Sequence, residues 1–589
     1  MTESSGNSNN KFKIIGLIIG AVAVIGLAVF LTLNLFGGSA ISVPGDYRTI
    51  QEAVDAAADG DVIVVEPGVY YERIDFLGKN ITLQSTDPGN PEVVAETIID
   101  GRKRGTVVTF RNGEGSGAVL TGFTITNGTG SFETVISEFE GEEIVSEGNF
   151  GGGILIDGGS SPLITKNVFL ENVVDVDGGG IAIINNSNPV IRENRFEGNA
   201  AFNGGAIAML QSNPIIEENE FISNRARNVG GAITIDFESS PAITANEITG
   251  NSSTTGGGIA VWNSDPLITE NNIYRNQAIW IGGGIAVLYA NPTISENQIS
   301  RNRAVHNGGG IVVAEGSEAM ISGNAITDNY TEENGAGIAV IEESQSTIID
   351  NVISDNAALA GGGGVFIRES ICVIQNNNVS ANVVQQDGGG IAMLQGSRVE
   401  ISGNNVERNG AGRAGGGFVV AGDSSITYED NNIEGNYAAT GGAMIVQQSS
   451  IIMNNNNVSN NSAEFGSGGG MILINNSRAE LNNNTFEGNL ALEFGGAIVA
   501  YENSLAIIRN NEFIRNISLE MGGAFIAIGD ADVDYGDPDT NSYTENIPED
   551  ISFDDLMDID PEDLFTDDED LVDIDENMED LEDLEEEEE

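Results

Sequence analysis

Cysteine and histidine are almost missing: 589 residues hold one of each, Cys372 and His306. A lone cysteine excludes an intrachain disulfide framework and any multi-cysteine metal site, and a lone histidine excludes motifs built on paired imidazoles. Positive charge is scarce as well. Lys and Arg number 24 against 89 Asp and Glu, a formal net charge of −65. That balance argues against nucleic acid as a partner and leaves cations, a saline milieu or basic partners. Also missing from residues 151–528 is any apolar stripe at helical spacing, so helical repeats are excluded there.

What fills that stretch is one unit written fifteen times. A short glycine run followed by an apolar residue recurs every 26 or 27 residues, its last small residue falling at Gly153, Gly180, Ala206 and so on through Gly284 and Gly310 to Ala524. A period this strict means a solenoid or a propeller. Each copy carries two or three β-branched runs of three to five residues, too little for a four-stranded blade of about 40 residues. The expected fold class is therefore all-β, a single parallel β-helix. The second half of each copy reads Asn-x-apolar-x-x-Asn, from Asn167, Phe169 and Asn172 to Asn511, Phe513 and Asn516. Asn tolerates the left-handed backbone and bonds its own turn, and stacked amides can form ladders along the axis, so these columns are read as structural. With turns ~4.8 Å apart, fifteen copies predict a rod roughly 70 Å long.

Four regions follow: 1–38, a cytoplasmic stub and transmembrane anchor; 39–150, an N-terminal cap, first turns and acidic insertion; 151–529, the repeats; and 530–589, an acidic tail. Ile14 to Phe36 is 23 residues without a charge, enough to span a bilayer. Lys11 and Lys13 place its N-terminal side in the cytoplasm, and the bulk of the chain then lies outside the cell or in a periplasm. A long cleaved signal is the alternative. Thr49 to Ala58 has apolar residues at helical spacing, a helix suited to cap the open end of the coil. Residues 131–150, rich in Glu, break the period and are expected to form a solvated loop, with a functional lid as the alternative. The tail holds thirty acidic residues and no Lys or Arg, a composition that predicts disorder.

The cap segment, with "TIQEAVDAA", "GDVIVVEPGVYYERI" and "ITLQS", resembles the start of the pectate-lyase-like superfamily of right-handed parallel β-helices. Pectin methylesterases and NosD-type periplasmic repeat proteins share that pattern. "GGAI" and the Phe-x-x-Asn units at Phe196, Phe221 and Phe486 are similar to repeats of polymorphic outer-membrane adhesins. The resemblance implies a right-handed coil from about Ile41 to Ile528; it does not single out a function, because this fold carries many activities.

Resemblance to the polysaccharide lyases would imply clustered calcium-binding acids with a basic residue, and resemblance to the methylesterases two Asp and an Arg. A glycosidase needs two carboxylates about 5 to 9.5 Å apart. The outward positions of the strand after the glycines read instead as an apolar strip, with Asp236 alone between Leu210 and Trp262. An outward, exposed apolar strip of this kind marks an interface and favours binding or pairing over a bare stalk. One acidic column stands out: Glu315, Glu342 and Glu369 on consecutive turns, with Arg368 beside them. Like charges ~5 Å apart repel by roughly 1 kcal/mol even in water, and calcium is the cation their oxygens would take. Asp530, Asp532, Asp534 and Asp537 are spaced much like a second oxygen-ligand loop, with Asn541 in the slot of the bidentate Glu. Arg301 and Asp328 share a column and read as a surface ion pair. Binding candidates come from the variable turn before each glycine run: Phe202, Arg227, Trp280, His306 and Arg413, joined by Trp262. The expectation is a membrane-tethered, non-enzymatic surface rod for adhesion or contact with polysaccharide or cell-surface glycan. A polysaccharide lyase or hydrolase, or a bare structural stalk, are the alternatives.

Overall fold

The computed structural model describes residues 40–139, 141–534 and 540–548. The segment Ile14–Phe36, Asp537 and residues 549–589 lie outside that set. Among the described residues no helix is long and apolar enough to cross a membrane.

The repeats coil as a parallel β-helix. One turn runs Ile259–Trp262, Leu267–Thr269, Asn272–Tyr274 and Gln277–Ala278. Each strand pairs in register with its counterpart one turn away, as in Ile259↔Ile285 and Ile268↔Ile294. Three long sheets and one short corner sheet result. The sheet that follows the glycine runs, here called the glycine sheet, has seventeen strands, a rod of roughly 80 Å at ~4.8 Å per turn.

Two lines of buried asparagine hold the corners. Asn297 Nδ2 donates to Asn324 Oδ1 at 3.0 Å, and the Asn297 backbone N–H donates to the same oxygen at 2.9 Å. Its second amide hydrogen goes to Ile268 O at 2.9 Å. The pattern repeats without a break from Asn167 to Asn541 and from Asn172 to Asn546. The left-handed residue at each corner is the one before the asparagine (Glu296, φ 56°; Arg301, φ 55°), not the asparagine itself. A third line, of serines, was not foreseen: the Ser187 N–H donates to Ser212 Oγ and the Ser212 N–H to Ser239 Oγ. Between the ladders, Phe169, Phe196 and Phe221 stack at 4.6 and 4.8 Å.

The glycines are needed for close approach. Gly282 sits at φ 68°, and a Cβ on Gly283 would lie 2.4 Å from the carbonyl oxygen of Gly309 one turn on. At the N-terminal end, the helix Ile50–Ala56 starts from a Thr49 cap and buries Ile50, Ala53 and Val54 on the first turns.

Two expectations are corrected. Residues 131–150 are not a solvated loop. Ser131–Phe139 and Glu142–Phe150 pair as an antiparallel hairpin, from Ser131↔Phe150 to Phe139↔Glu142, and fold back on the coil. Nor is the apolar strip exposed. Ala286, Val312, Ala339, Phe366, Val419 and Val499 are all buried within a second hydrophobic cluster outside the lumen. The reason is the glycine run itself, which turns back over its own strand: a Cβ on Gly308 would touch Val312 Cβ at 2.7 Å, and one on Gly335 would touch Ala339 Cβ at 2.8 Å.

Candidate functional site

Because the turn before each glycine run covers the strip, the exposed chemistry moves to that turn's own outer corner. Backbone bonds align Phe202, Asn228, Thr254, Trp280 and His306 in one column: the Asn228 N–H reaches Phe202 O, Thr254 reaches Asn228, Trp280 reaches Thr254 and His306 reaches Trp280. Arg227 and Ile279 flank it. The span from Phe202 to His306 is four turns, roughly 20 Å. Trp280 is 48% exposed, Ile279 63% and Phe202 43%. The Trp280 ring lies 5.5 Å from that of His306, and His306 Nδ1 lies 2.6 Å from Glu333 Oε1 on the following turn. This is a wet, aromatic, hydrogen-bonding surface on a rigid frame. Glu333 was missed in the sequence; its signal was its place one repeat after His306.

The other candidates fall elsewhere. Arg413 is occupied: its Nε donates to Asp387 Oδ1 at 2.9 Å, its Nη2 bonds the other oxygen, and Asp387 is buried. Burial raises the Asp387 carboxyl above its usual range, opposed by the Arg413 guanidinium. Trp262 is covered by the hairpin, with Phe139 at 4.4 Å, Phe237 at 5.0 Å and Tyr289 at 5.9 Å, the last two edge-on. Glu315, Glu342 and Glu369 are the left-handed turn residues of three consecutive turns (φ 57°, 59° and 52°). Glu315 accepts the Tyr289 hydroxyl at 2.7 Å. Arg368 is half-buried, its Nε without a hydrogen-bond partner. Asp532–Asp534 is a strand paired with Leu505–Arg509, and Asp534 takes Arg509 Nη2 at 2.8 Å. Asp530 sits just before that strand, and Asn541 continues the asparagine ladder, accepting from the Asn511 N–H at 2.9 Å. Among the described residues no three His, Cys, Asp or Glu side chains converge closely enough to hold a metal ion. Arg301 and Asp328 do pair, at 3.5 Å and exposed, a contact worth little.

A shallow depression on the next sheet, lined by Pro292, Met320, Thr347 and Ile371, marks where its strands lengthen from three residues to five. Two acids, the buried Asp177 and the half-buried Asp236, were also missed as a pair. Asp177, 5% exposed, accepts from Asn203 Nδ2 at 2.9 Å, and burial pushes its carboxyl up to about 7. Asp236 is raised too, first by burial and then by the charge of Asp177.

Residues 98–278, 264–406 and 360–513 each match the family model "Right handed beta helix region". No curated protein matches the chain in sequence. Among solved structures, an alginate lyase of family PL6 is 12% identical, covering 86% of this chain and 100% of its own, with a TM-score of 0.24. The mannuronan C-5 epimerase A-module of Azotobacter vinelandii is 14% identical over 80% and 98%, TM-score 0.19. The receptor-binding domain of the siphovirus 9NA tailspike is 13% identical over 88% and 78%, TM-score 0.15. Likenesses this loose say nothing about activity.

Proposed function

We propose that this chain, which belongs to the right-handed β-helix family, is a non-enzymatic rod that contacts saccharide through the corner running from Phe202 to Glu333. One observation carries the reading: Trp280 stands half-exposed beside a His306 ring that is itself bonded to Glu333. An exposed aromatic face stacks on the apolar face of a sugar ring, and the imidazole and carboxylate beside it supply a donor and an acceptor for its hydroxyls. The interlocked asparagine ladders keep that corner rigid, so little conformational entropy is lost on contact. In the same reading Ile14–Phe36 anchors the rod in a membrane with the coil outside.

The test is retention of the purified protein on immobilised acidic and neutral polysaccharides, with and without calcium. Trp280→Ala is expected to lower retention by tenfold or more while the far-UV circular dichroism stays unchanged. Equal retention by the variant sinks the proposal. A second reading, a polysaccharide-cleaving enzyme, draws on Asp177, whose carboxyl near 7 is where a general acid works. Release of unsaturated or reducing ends in the same assay would favour it, and neither retention nor cleavage would leave a structural stalk.

A further inference from the structure

Positive charge is scarce in this chain, and one turn gathers it. Arg102, Lys103 and Arg104 stand in succession between the strands Thr97–Asp100 and Val108–Phe110, and Arg73 lies on the preceding turn of the same corner. All four are exposed, and among the described residues none is in an ion pair. Arg73 Nη1 donates instead to Arg104 O at 3.2 Å. The acids beside them in sequence are taken up by backbone. Glu72 accepts the Ile50 and Gln51 N–H groups, both at 3.0 Å, and Asp100 accepts the Arg102 N–H at 2.8 Å.

The turn is held firmly and is not purely polar. The Gly101 N–H donates to Thr126 O at 3.0 Å, the Lys103 N–H to Asn127 O at 2.8 Å and the Gly105 N–H to Thr129 Oγ1 at 3.0 Å, all on the following turn. The Arg102 guanidinium lies 3.6 Å from the centre of the Tyr71 ring. Tyr71 is 55% exposed and Val69, two residues before it, 49%. Cations set over an exposed aromatic ring and beside an exposed aliphatic side chain are the composition of a lipid interface.

Position along the rod selects the occupant. The strand Ala40–Val43 begins the coil and pairs with Val62–Val65, and Gly68–Tyr70 pairs with Thr97–Asp100 one turn further on. The basic turn therefore lies two turns, ~10 Å, from that end. In the anchored reading only residues 37–39 separate the span Ile14–Phe36 from Ala40, a tether of at most ~14 Å. That brings the four cations close to the headgroups, where the Debye length is ~8 Å. The strongly acidic balance of the whole chain is repelled by an anionic surface, which confines the contact to this turn. A polyanionic sugar chain would need cations in file along several turns, whereas these four occupy two.

We propose that the basic turn Arg102 to Arg104, with Arg73 and Tyr71, is a contact for anionic phospholipid headgroups that seats the first turns of the rod on the membrane. The proposal rests on the anchored reading of Ile14–Phe36. Each Lys or Arg held at such a surface strengthens the contact about fivefold, and salt screens it.

The test uses the full chain reconstituted in phosphatidylcholine vesicles with or without phosphatidylglycerol, acylated by a membrane-impermeant amine reagent and read by mass spectrometry. Lys103 is the reporter, and Lys166, 43% exposed at its side chain, is the reference within the same molecule. The Lys103 to Lys166 labelling ratio is expected to fall about fivefold or more when phosphatidylglycerol is present and to recover at high salt. In Arg73→Gln/Arg102→Gln/Arg104→Gln the ratio should be the same in both vesicles, with the far-UV circular dichroism unchanged. A native ratio that ignores phosphatidylglycerol, or a fall that survives in the triple variant, overturns the contact. So does an oligouronate that lowers the ratio as far in neutral vesicles, since the turn would then be a site for acidic sugar. Should the triple variant not fold, the salt titration of the native chain decides alone. A carbonate wash keeps the two readings apart: release of the chain strikes the anchor, and the ratio read on the released chain mixed with phosphatidylglycerol vesicles still decides the contact.

Discussion

Replacing Asn324 by Ala removes one rung from the middle of an amide ladder, and the structure says what that rung does. Its Oδ1 accepts both the backbone and side-chain N–H of Asn297, and its Nδ2 donates to Ile294 O, Ser322 O and Asn351 Oδ1. The residue is 1% exposed, so water cannot replace these bonds. The Asn297 amide and the Ile294 carbonyl each lose this partner. A buried polar group without one costs about 1–3 kcal/mol, and the truncated side chain leaves a small void besides, so the total is about 3–5 kcal/mol. In a solenoid that loss falls on one interface between neighbouring turns. Urea unfolding of the variant, followed by far-UV circular dichroism, is therefore expected to shift to lower denaturant and to split into two steps. Asn272→Ala is the control, since Asn272 is the next residue after a rung but exposed, and is expected to change stability by less than about 0.5 kcal/mol. Should Asn324→Ala and Asn272→Ala unfold alike, the ladder contributes shape and not stability.

Three further outcomes follow from particular side chains. Tyr428 is wholly buried in the lumen, its ring edge-on to Phe418 at 5.0 Å and its hydroxyl without a partner; Tyr428→Phe is expected to stabilise by about 1–2 kcal/mol, and a lower urea midpoint would refute it. Glu296→Gly relieves a left-handed residue at a corner where the next turn already has Gly323; after the entropic cost of glycine a gain of about 0.5 kcal/mol is expected in the same assay, and a loss would show that Glu296 makes contacts that outweigh the strain. Arg413→Ala leaves Asp387 buried without its cation and is expected to cost about 3–5 kcal/mol near neutral pH. Because burial raises the Asp387 carboxyl, the folded variant holds that proton more tightly than the unfolded chain. The deficit should therefore shrink as pH falls towards the ordinary carboxylate range and widen above it; a deficit that does not change with pH would place the loss in packing.

The fold was legible in the sequence because its determinants repeat. Spacing placed Asn297 over Asn324 and Phe169 over Phe196, since a column needs only the period. The helix at Ile50 was legible from its apolar spacing, though its Thr49 cap was not singled out. What periodicity could not give was the third dimension at the corners. A residue's outward direction on its own strand predicted that Val312 and Ala339 would be exposed, but exposure depends on the path of the preceding turn, which only the backbone of the glycine run decides. The hairpin escaped for a related reason: its buried face alternates through Val135, Ser137 and Phe139, but Phe132 and Ile136 stand on the exposed face beside Glu138, so no apolar-polar alternation marks the side that is covered.

That covered strip changes what kind of binding the rod can support. A broad apolar sheet face would have favoured pairing with another protein over a large area. Here the apolar atoms are already used to hold the turn segments down, and what reaches solvent at the corner is a line of single side chains one per turn: Phe202, Asn228, Thr254, Trp280, His306 and Glu333. A ligand for such a line must itself be linear and must offer apolar and hydroxyl-bearing faces to residues spaced ~4.8 Å apart. A sugar chain meets that description, with each ring about as long as one turn is high. The same geometry explains why changing one corner residue is expected to weaken retention without moving the fold: the corner side chains lie outside both ladders, and nothing in the lumen depends on them.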